Sequence, residues 1–230
     1  MKKSATAHLF LILFIMLIMP IHASVTMEVT IDQNIHVTLN FENVSSPIYN
    51  DIKQTFNITT IPLIIEKNLE QQDLTHVRWG YTQDVDFNDS TNSINAKFFL
   101  GGSDIMTSTY NKTTMARRYQ VRTEWRKIHA DLAENFSIDF NEYFGTPIAD
   151  WDYVDSEKAY YNEYTELDAF TPSCKFVLPK TAINVNAVGD TIFFELPPLF
   201  EDVLLNSPFL IFGALITAII VTFIYRKIRK

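Results

Sequence analysis

The feature that most constrains this chain lies at its C-terminal end. Residues 209–225 carry no charged side chain, and Arg226, Lys227, Arg229 and Lys230 follow directly. As a helix the run would be roughly 26 Å long, close to the hydrocarbon thickness of a bilayer once its flanks are counted. An apolar surface on every side suits lipid better than a domain core, and bases placed beside a span stay on the cytoplasmic side. The expectation is one transmembrane helix over 208–225, with Tyr225 at the interface and a basic cytoplasmic tail over 226–230. Gly213-Ala214 and Thr217-Ala218 form a small-xxx-small pattern, which is common in spans by composition alone and offers only weak support for helix-mediated self-association.

The other end sets the orientation. Lys2 and Lys3 precede an uninterrupted apolar core from Leu9 to Met19, then Pro20 and the small residue Ala23. A core of about a dozen residues is short for a span, which needs about 20, and the order of positive, apolar and small-residue regions is that of a secretory signal. Residues 1–23 are therefore expected to be a signal peptide, 24–198 an extracytoplasmic domain and 199–207 a juxtamembrane tether. The result would be a type I single-pass protein in the cell membrane, with its N-terminal domain outside.

Charge follows the same division. All 27 acidic residues fall between Glu28 and Asp202, whereas six of the 19 bases lie outside that stretch, so the middle carries 13 bases against 27 acids, a formal −14. A surface of that sign excludes binding of nucleic acid through bulk charge. Cys174 is the only cysteine, so no intramolecular disulfide is available. The domain is long enough to bury a core without one, and an exported chain without disulfides points to a prokaryotic or archaeal surface.

Between the two ends the pattern is β-rich. Val25, Met27, Val29 and Ile31 alternate with polar residues, and after Asp32-Gln33-Asn34 the set Ile35, Val37, Leu39 and Phe41 repeats the alternation. That is a hairpin with one buried side. Ser46-Pro47 opens a helix carrying Ile48, Ile52 and Phe56, and a second short helix is expected over 62–72, capped by Thr60 and facing a core with Leu63, Ile64 and Leu69. Strand-like runs then occupy 77–81, 85–87, 94–100, 105–110 and 119–126, followed by 175–178, 182–185 and 191–196. Short turns between them imply antiparallel neighbours. The fold class expected is α+β and β-rich, with an N-terminal hairpin, one or two helices, an antiparallel sheet or sandwich, and the C-terminal transmembrane helix.

Candidate sites are few. Five Asn-x-Ser/Thr sequons, at Asn43, Asn57, Asn88, Asn111 and Asn135, could accept glycans, with Asn88 and Asn111 favoured because they fall in turns. The densest acidic feature is 150–168, in which Asp150, Asp152, Asp155 and Glu157 could offer oxygen ligands to Ca²⁺, although the spacing and central glycine of an EF-hand loop are missing. A solvated, Tyr-rich loop is the simpler reading of that segment. Its aromatics make Trp151, Tyr153, Tyr160 and Tyr161 interface candidates. Arg118, Arg122 and Arg126, placed on one face of a strand, are further interface candidates and could pair with the acidic loop within the domain or across a dimer.

No Gly-x-Ser-x-Gly, His-Glu-x-x-His or phosphate loop occurs, and His36, His76 and His129 are dispersed, so no catalytic residue and no cofactor is assigned. The function expected is a non-enzymatic binding or envelope-complex subunit whose partner is another surface protein or a second copy. An anchored hydrolase, or a cation-dependent carbohydrate-binding module using 150–168, is the alternative.

Overall fold

The computed structural model describes residues 23–56, 59–133, 136–163, 170–206 and 208–228. Residues 1–22 of the expected signal peptide, the sequon asparagines Asn57 and Asn135, and residues 164–168 of the acidic segment lie outside the described residues.

The alternating N-terminal run forms the hairpin β1 (Ala23–Ile31) and β2 (Ile35–Glu42), with Val25, Met27, Val29, Ile31, Ile35, Val37, Leu39 and Phe41 all buried. Two helices follow, α1 (Ser46–Thr55) and α2 (Thr60–Gln71). In α1 the buried residues are Tyr49 and Ile52, with Ile48 only partly covered. In α2 the core contacts come from Ile61 and Leu69, whereas Leu63, expected to face inward, is 62% exposed. Neither N-cap hydroxyl makes a capping hydrogen bond, so tertiary packing holds these helices.

The next strands are β3 (Arg78–Asn88), β4 (Ser93–Gly101), β5 (Met106–Asn111) and β6 (Ala116–Arg122). The runs 77–81 and 85–87, expected as separate strands, are one strand whose register against β4 shifts twice, after Tyr81 and after Gln83. Such irregularities break the alternation that a reader of sequence relies on. Gly102 sits between β4 and β5 at φ +111°, where an added Cβ would lie 2.1 Å from the His76 carbonyl oxygen, so no other residue fits that turn.

Beyond β6 the chain departs from expectation. The strand stops at Arg122, and Glu124–Arg126 is a 3₁₀ turn rather than strand. Then come β7 (His129–Ala133), β8 (Phe136–Asp139), α3 (Phe140–Phe144), β9 (Asp152–Val154), β10 (Ala159–Glu163), β11 (Phe170–Val177), β12 (Ile183–Val188), β13 (Thr191–Leu196), α4 (Phe200–Asn206) and α5 (Pro208–Ile228).

The strands form three sheets: a seven-stranded one ordered β3-β4-β2-β1-β11-β10-β9, a four-stranded one ordered β12-β13-β6-β5, and the pair β7-β8. The large sheet is mixed rather than purely antiparallel, because β1 and β11 run parallel with Ala23 opposite Phe170 and Thr30 opposite Val177. A single apolar cluster joins the sheets, with Val121, Ile192 and Phe194 from the small sheet and Phe176, Met27 and Val29 from the large one. Cys174 is part of it as a buried free thiol.

The expected tether is helical over most of its length, as α4. Asp202 on α4 accepts from Arg117 Nε at 2.9 Å and Arg117 Nη2 at 2.5 Å, and from the backbone N–H of Leu199 at 3.0 Å. The bidentate pair fixes α4 against the start of β6. The run expected to span a membrane is the continuous 21-residue helix α5. Its side chains are described only in part, the longest stretch being 215–222. Among the described residues no helix is long and apolar enough to cross a membrane.

Candidate functional site

The described part of the acidic, aromatic segment, 150–163, is built around a strand pair. Residues Asp152–Val154 and Ala159–Glu163 pair as the hairpin β9–β10, with Ala159 opposite Val154 and Tyr161 opposite Asp152, at one edge of the large sheet. Lys158 holds the turn at φ +54°. The hairpin is locked by its own charges: Asp155 accepts from Lys158 Nζ at 2.7 Å and from the Tyr153 hydroxyl at 3.2 Å, and Glu157 accepts from the Tyr161 hydroxyl and faces Lys175 Nζ at 3.6 Å. Those donors hold both carboxyls below the usual carboxylate range. Burial and the bond to Asp155 push the Tyr153 phenol up to about 12.

The four carboxylates offered as a cation loop divide between two surroundings. Asp155 and Glu157 face lysines and tyrosines on the hairpin, while Asp150 and Asp152 line a groove. Among the described residues, no three His, Cys, Asp or Glu side chains come together as a metal site. The groove has a volume of about 490 Å³ and is lined by Thr146, Asp150, Trp151, Asp152, Val154, Tyr161, Asn162 and Glu163.

The interface candidates separate into surface and core. Trp151 is buried: its indole N–H donates to the Thr146 carbonyl and hydroxyl oxygens at 3.2 and 3.1 Å, and its ring packs on Phe176 and Phe144. Tyr160 is also buried, its ring tilted by 41° against that of the half-buried Tyr153 at 4.8 Å. Tyr161 remains partly open, with Lys175 over its ring. Of the four aromatic candidates, Tyr161 and an edge of Trp151 reach the groove.

Arg126 needs the clearest correction. Expected on the outward face of a strand beside Arg118 and Arg122, it is 0% exposed at the end of the 3₁₀ turn. A buried guanidinium must satisfy five donors. Nε donates to the Phe144 carbonyl at 3.0 Å, and Nη1 to the Thr123 carbonyl and hydroxyl, both at 2.8 Å. Nη2 donates to the Thr146 carbonyl at 2.6 Å and to Asp190 Oδ1 at 2.7 Å. The cation also lies 5.1 Å from the centre of the Trp151 ring.

Asp190 occupies the second position of the two-residue β12–β13 turn, which Gly189 allows by adopting φ +56°. Its other oxygen takes Lys127 Nζ at 2.7 Å. Burial alone would raise the Asp190 carboxyl, but the bonds from Lys127 and Arg126 outweigh it and hold the group low. Sequence reasoning missed this centre because Asp190 reads as an ordinary turn residue, 64 positions from Arg126.

Arg118 and Arg122 are exposed, and among the described residues neither pairs with the acidic hairpin. Arg118 lies over the Phe193 ring at 5.1 Å, beside a shallow depression of about 210 Å³, and Arg122 faces Glu124 at 3.5 Å. The histidines meet three separate aspartates: His36 and Asp32, His76 and Asp104, His129 and Asp131.

Among the sequons, Asn88 ends β3 with its side-chain oxygen accepting from the Ser90 backbone N–H at 3.0 Å and the Ser90 hydroxyl at 2.6 Å. Asn111 ends β5 and accepts from the Thr113 and Thr114 backbone N–H groups at 3.0 and 3.4 Å. Asn43 is exposed just past β2 at φ +56°. Compared with known proteins, the chain matches no family model, no curated protein and no solved structure.

Proposed function

We propose that this chain is a type I membrane-anchored surface protein, held to the bilayer by α5, whose extracytoplasmic β-rich domain is a non-enzymatic binding subunit. The observation that supports it most is α5 itself. Its apolar residues Leu215, Ile216, Ile219, Ile220, Val221 and Ile224 spread over about 240° of the helix circumference, wider than the stripe of a core-facing helix, and each is more than half exposed. Six such side chains left in water would forgo on the order of 10 kcal/mol of burial, which a lipid environment would supply. The helix runs over Pro208–Ile228, and its uncharged part, 209–225, is roughly 26 Å long, close to the hydrocarbon thickness once its flanks are counted.

The groove of the β9–β10 hairpin lies away from this anchor. Residues Thr146 and Trp151 connect it through Arg126 to the Asp190 turn, at one end of the four-stranded sheet, whereas the chain leaves toward α4 from the other end, at Leu196. An acidic groove facing outward fits a macromolecular partner with a basic surface.

The test is membrane extraction of the full chain in cells, compared with a chain stopped after Asn206. The full chain is expected to stay in the membrane pellet after alkaline carbonate washing, and the shortened one to be released. Release of both to the same extent would refute the anchor.

A further inference from the structure

We propose that the end of the four-stranded sheet beside α4 is itself a lipid-contacting surface, resting in the headgroup layer of the bilayer into which α5 inserts. The proposal builds on the anchoring reading and adds a second membrane contact to it. Strand register defines the end in question. Arg117 pairs with Leu196 and with Tyr110, and Ile183 with Glu195, so the β5–β6 hairpin tip, the close of β13 and the opening of β12 lie side by side.

Outside α5, the described residues include six exposed large apolar side chains: Leu63, Met115, Ile183, Val188, Leu199 and Phe200. Four of them gather at this one end: Met115 (60% exposed) at the hairpin tip, Ile183 (52%) on β12, and Leu199 (48%) and Phe200 (77%) where β13 gives way to α4. Single exposed apolar residues are ordinary, but four across a rim about 15 Å wide form a patch that water disfavours.

The charges on this rim fit a lipid surface. Lys112 stands exposed at the hairpin tip and Lys180 in the turn three residues before Ile183. Of the acids, Asp202 is tied up by Arg117, and Glu195 is buried and accepts from Asn184 at 2.8 Å, leaving Glu201 exposed. Apolar residues flanked by lysines match acyl chains below and anionic headgroups at their own level. Geometry supplies the proximity: α4 is seven residues, about 10 Å, and the Arg117–Asp202 pair clamps it to β6, so the rim cannot swing far from the start of α5.

The experiment uses the full chain in vesicles of phosphatidylcholine and phosphatidylglycerol containing a lipid quencher. A fluorophore is placed by M115C, I183C, V188C or I219C. Cys174 is buried, so each variant labels at one position. The inference expects quenching at 115 and 183 several-fold stronger than at 188, which occupies the opposite end of the same sheet, and weakened when K112Q and K180Q are combined. Quenching at 219 with 115 and 183 no different from 188 would overturn the inference while leaving the anchor intact. Absence of quenching at 219 as well would overturn both.

Discussion

Replacing Arg126 by alanine is the sharpest test of how this domain is held together. The guanidinium has no solvent contact and makes five hydrogen bonds, three of them to backbone carbonyls of Thr123, Phe144 and Thr146. Its removal leaves the Phe144 oxygen facing a cavity under Trp151, at about 1–3 kcal/mol for an unsatisfied group, whereas the Thr146 carbonyl keeps the Trp151 indole N–H. Asp190 keeps Lys127, so its charge is not wholly abandoned. The loss of one partner from a buried ion pair typically costs about 3–5 kcal/mol, and the same range is expected here. Against a total stability of about 5–15 kcal/mol that is a large share.

Urea unfolding of the full chain in detergent micelles, read by tryptophan fluorescence, would measure it. All three tryptophans lie in the domain, and Trp125 and Trp151 flank the site. With a slope of about 2 kcal/mol/M, the midpoint of R126A should fall by about 2 M. R126K should recover only part of this, because an ammonium cannot reach carbonyls on opposite sides of a fork. A midpoint shift below about 0.5 M, or an R126K variant as stable as the parent, would refute this account of the centre.

Three further outcomes are expected. Because Asp190 titrates lower in the folded state than unfolded, its contribution should be full above about pH 4 and drain away as pH falls from there through the folded value; D190N should flatten that acid limb, as seen in unfolding midpoints between pH 5 and pH 2. Burial raises the Cys174 thiol, so a disulfide-exchange reagent should modify it only after unfolding, and non-reducing electrophoresis should show no covalent dimer. In the native host N88Q should increase electrophoretic mobility by one glycan, whereas N111Q should leave it unchanged, since Asn111 lies on the rim assigned to the bilayer.

Much of the β-rich part was legible from period-2 alternation, which survives wherever one strand face is buried and no bulge intervenes. The β1–β2 hairpin, β4 and β13 follow from it directly. The strand β3 reads as two strands because two register shifts break its alternation, and β9 hides because three residues carry too little pattern to read. Other features depend on partners distant in the chain. Nothing near Ala23 announces a parallel neighbour at Phe170, and nothing near Arg126 announces burial until Phe144, Thr146 and Asp190 converge on it. The acidic segment was legible as a charged, aromatic feature. The hairpin within it, and the lysine and tyrosine clamps that hold that hairpin, were not.

The parallel pairing of β1 with β11 has a consequence for synthesis. The first folded strand finds one neighbour at once in β2, but its other edge stays open until residues 170–177 are made, which at about 5–20 residues per second takes roughly 7–30 s. During that interval an edge bearing Val25, Met27, Val29 and Ile31 is exposed as a template for other strands. A chain of this topology therefore depends on being kept from its neighbours until the last third of the domain arrives, and conditions that slow elongation late in the message should raise aggregation more than those that slow it early.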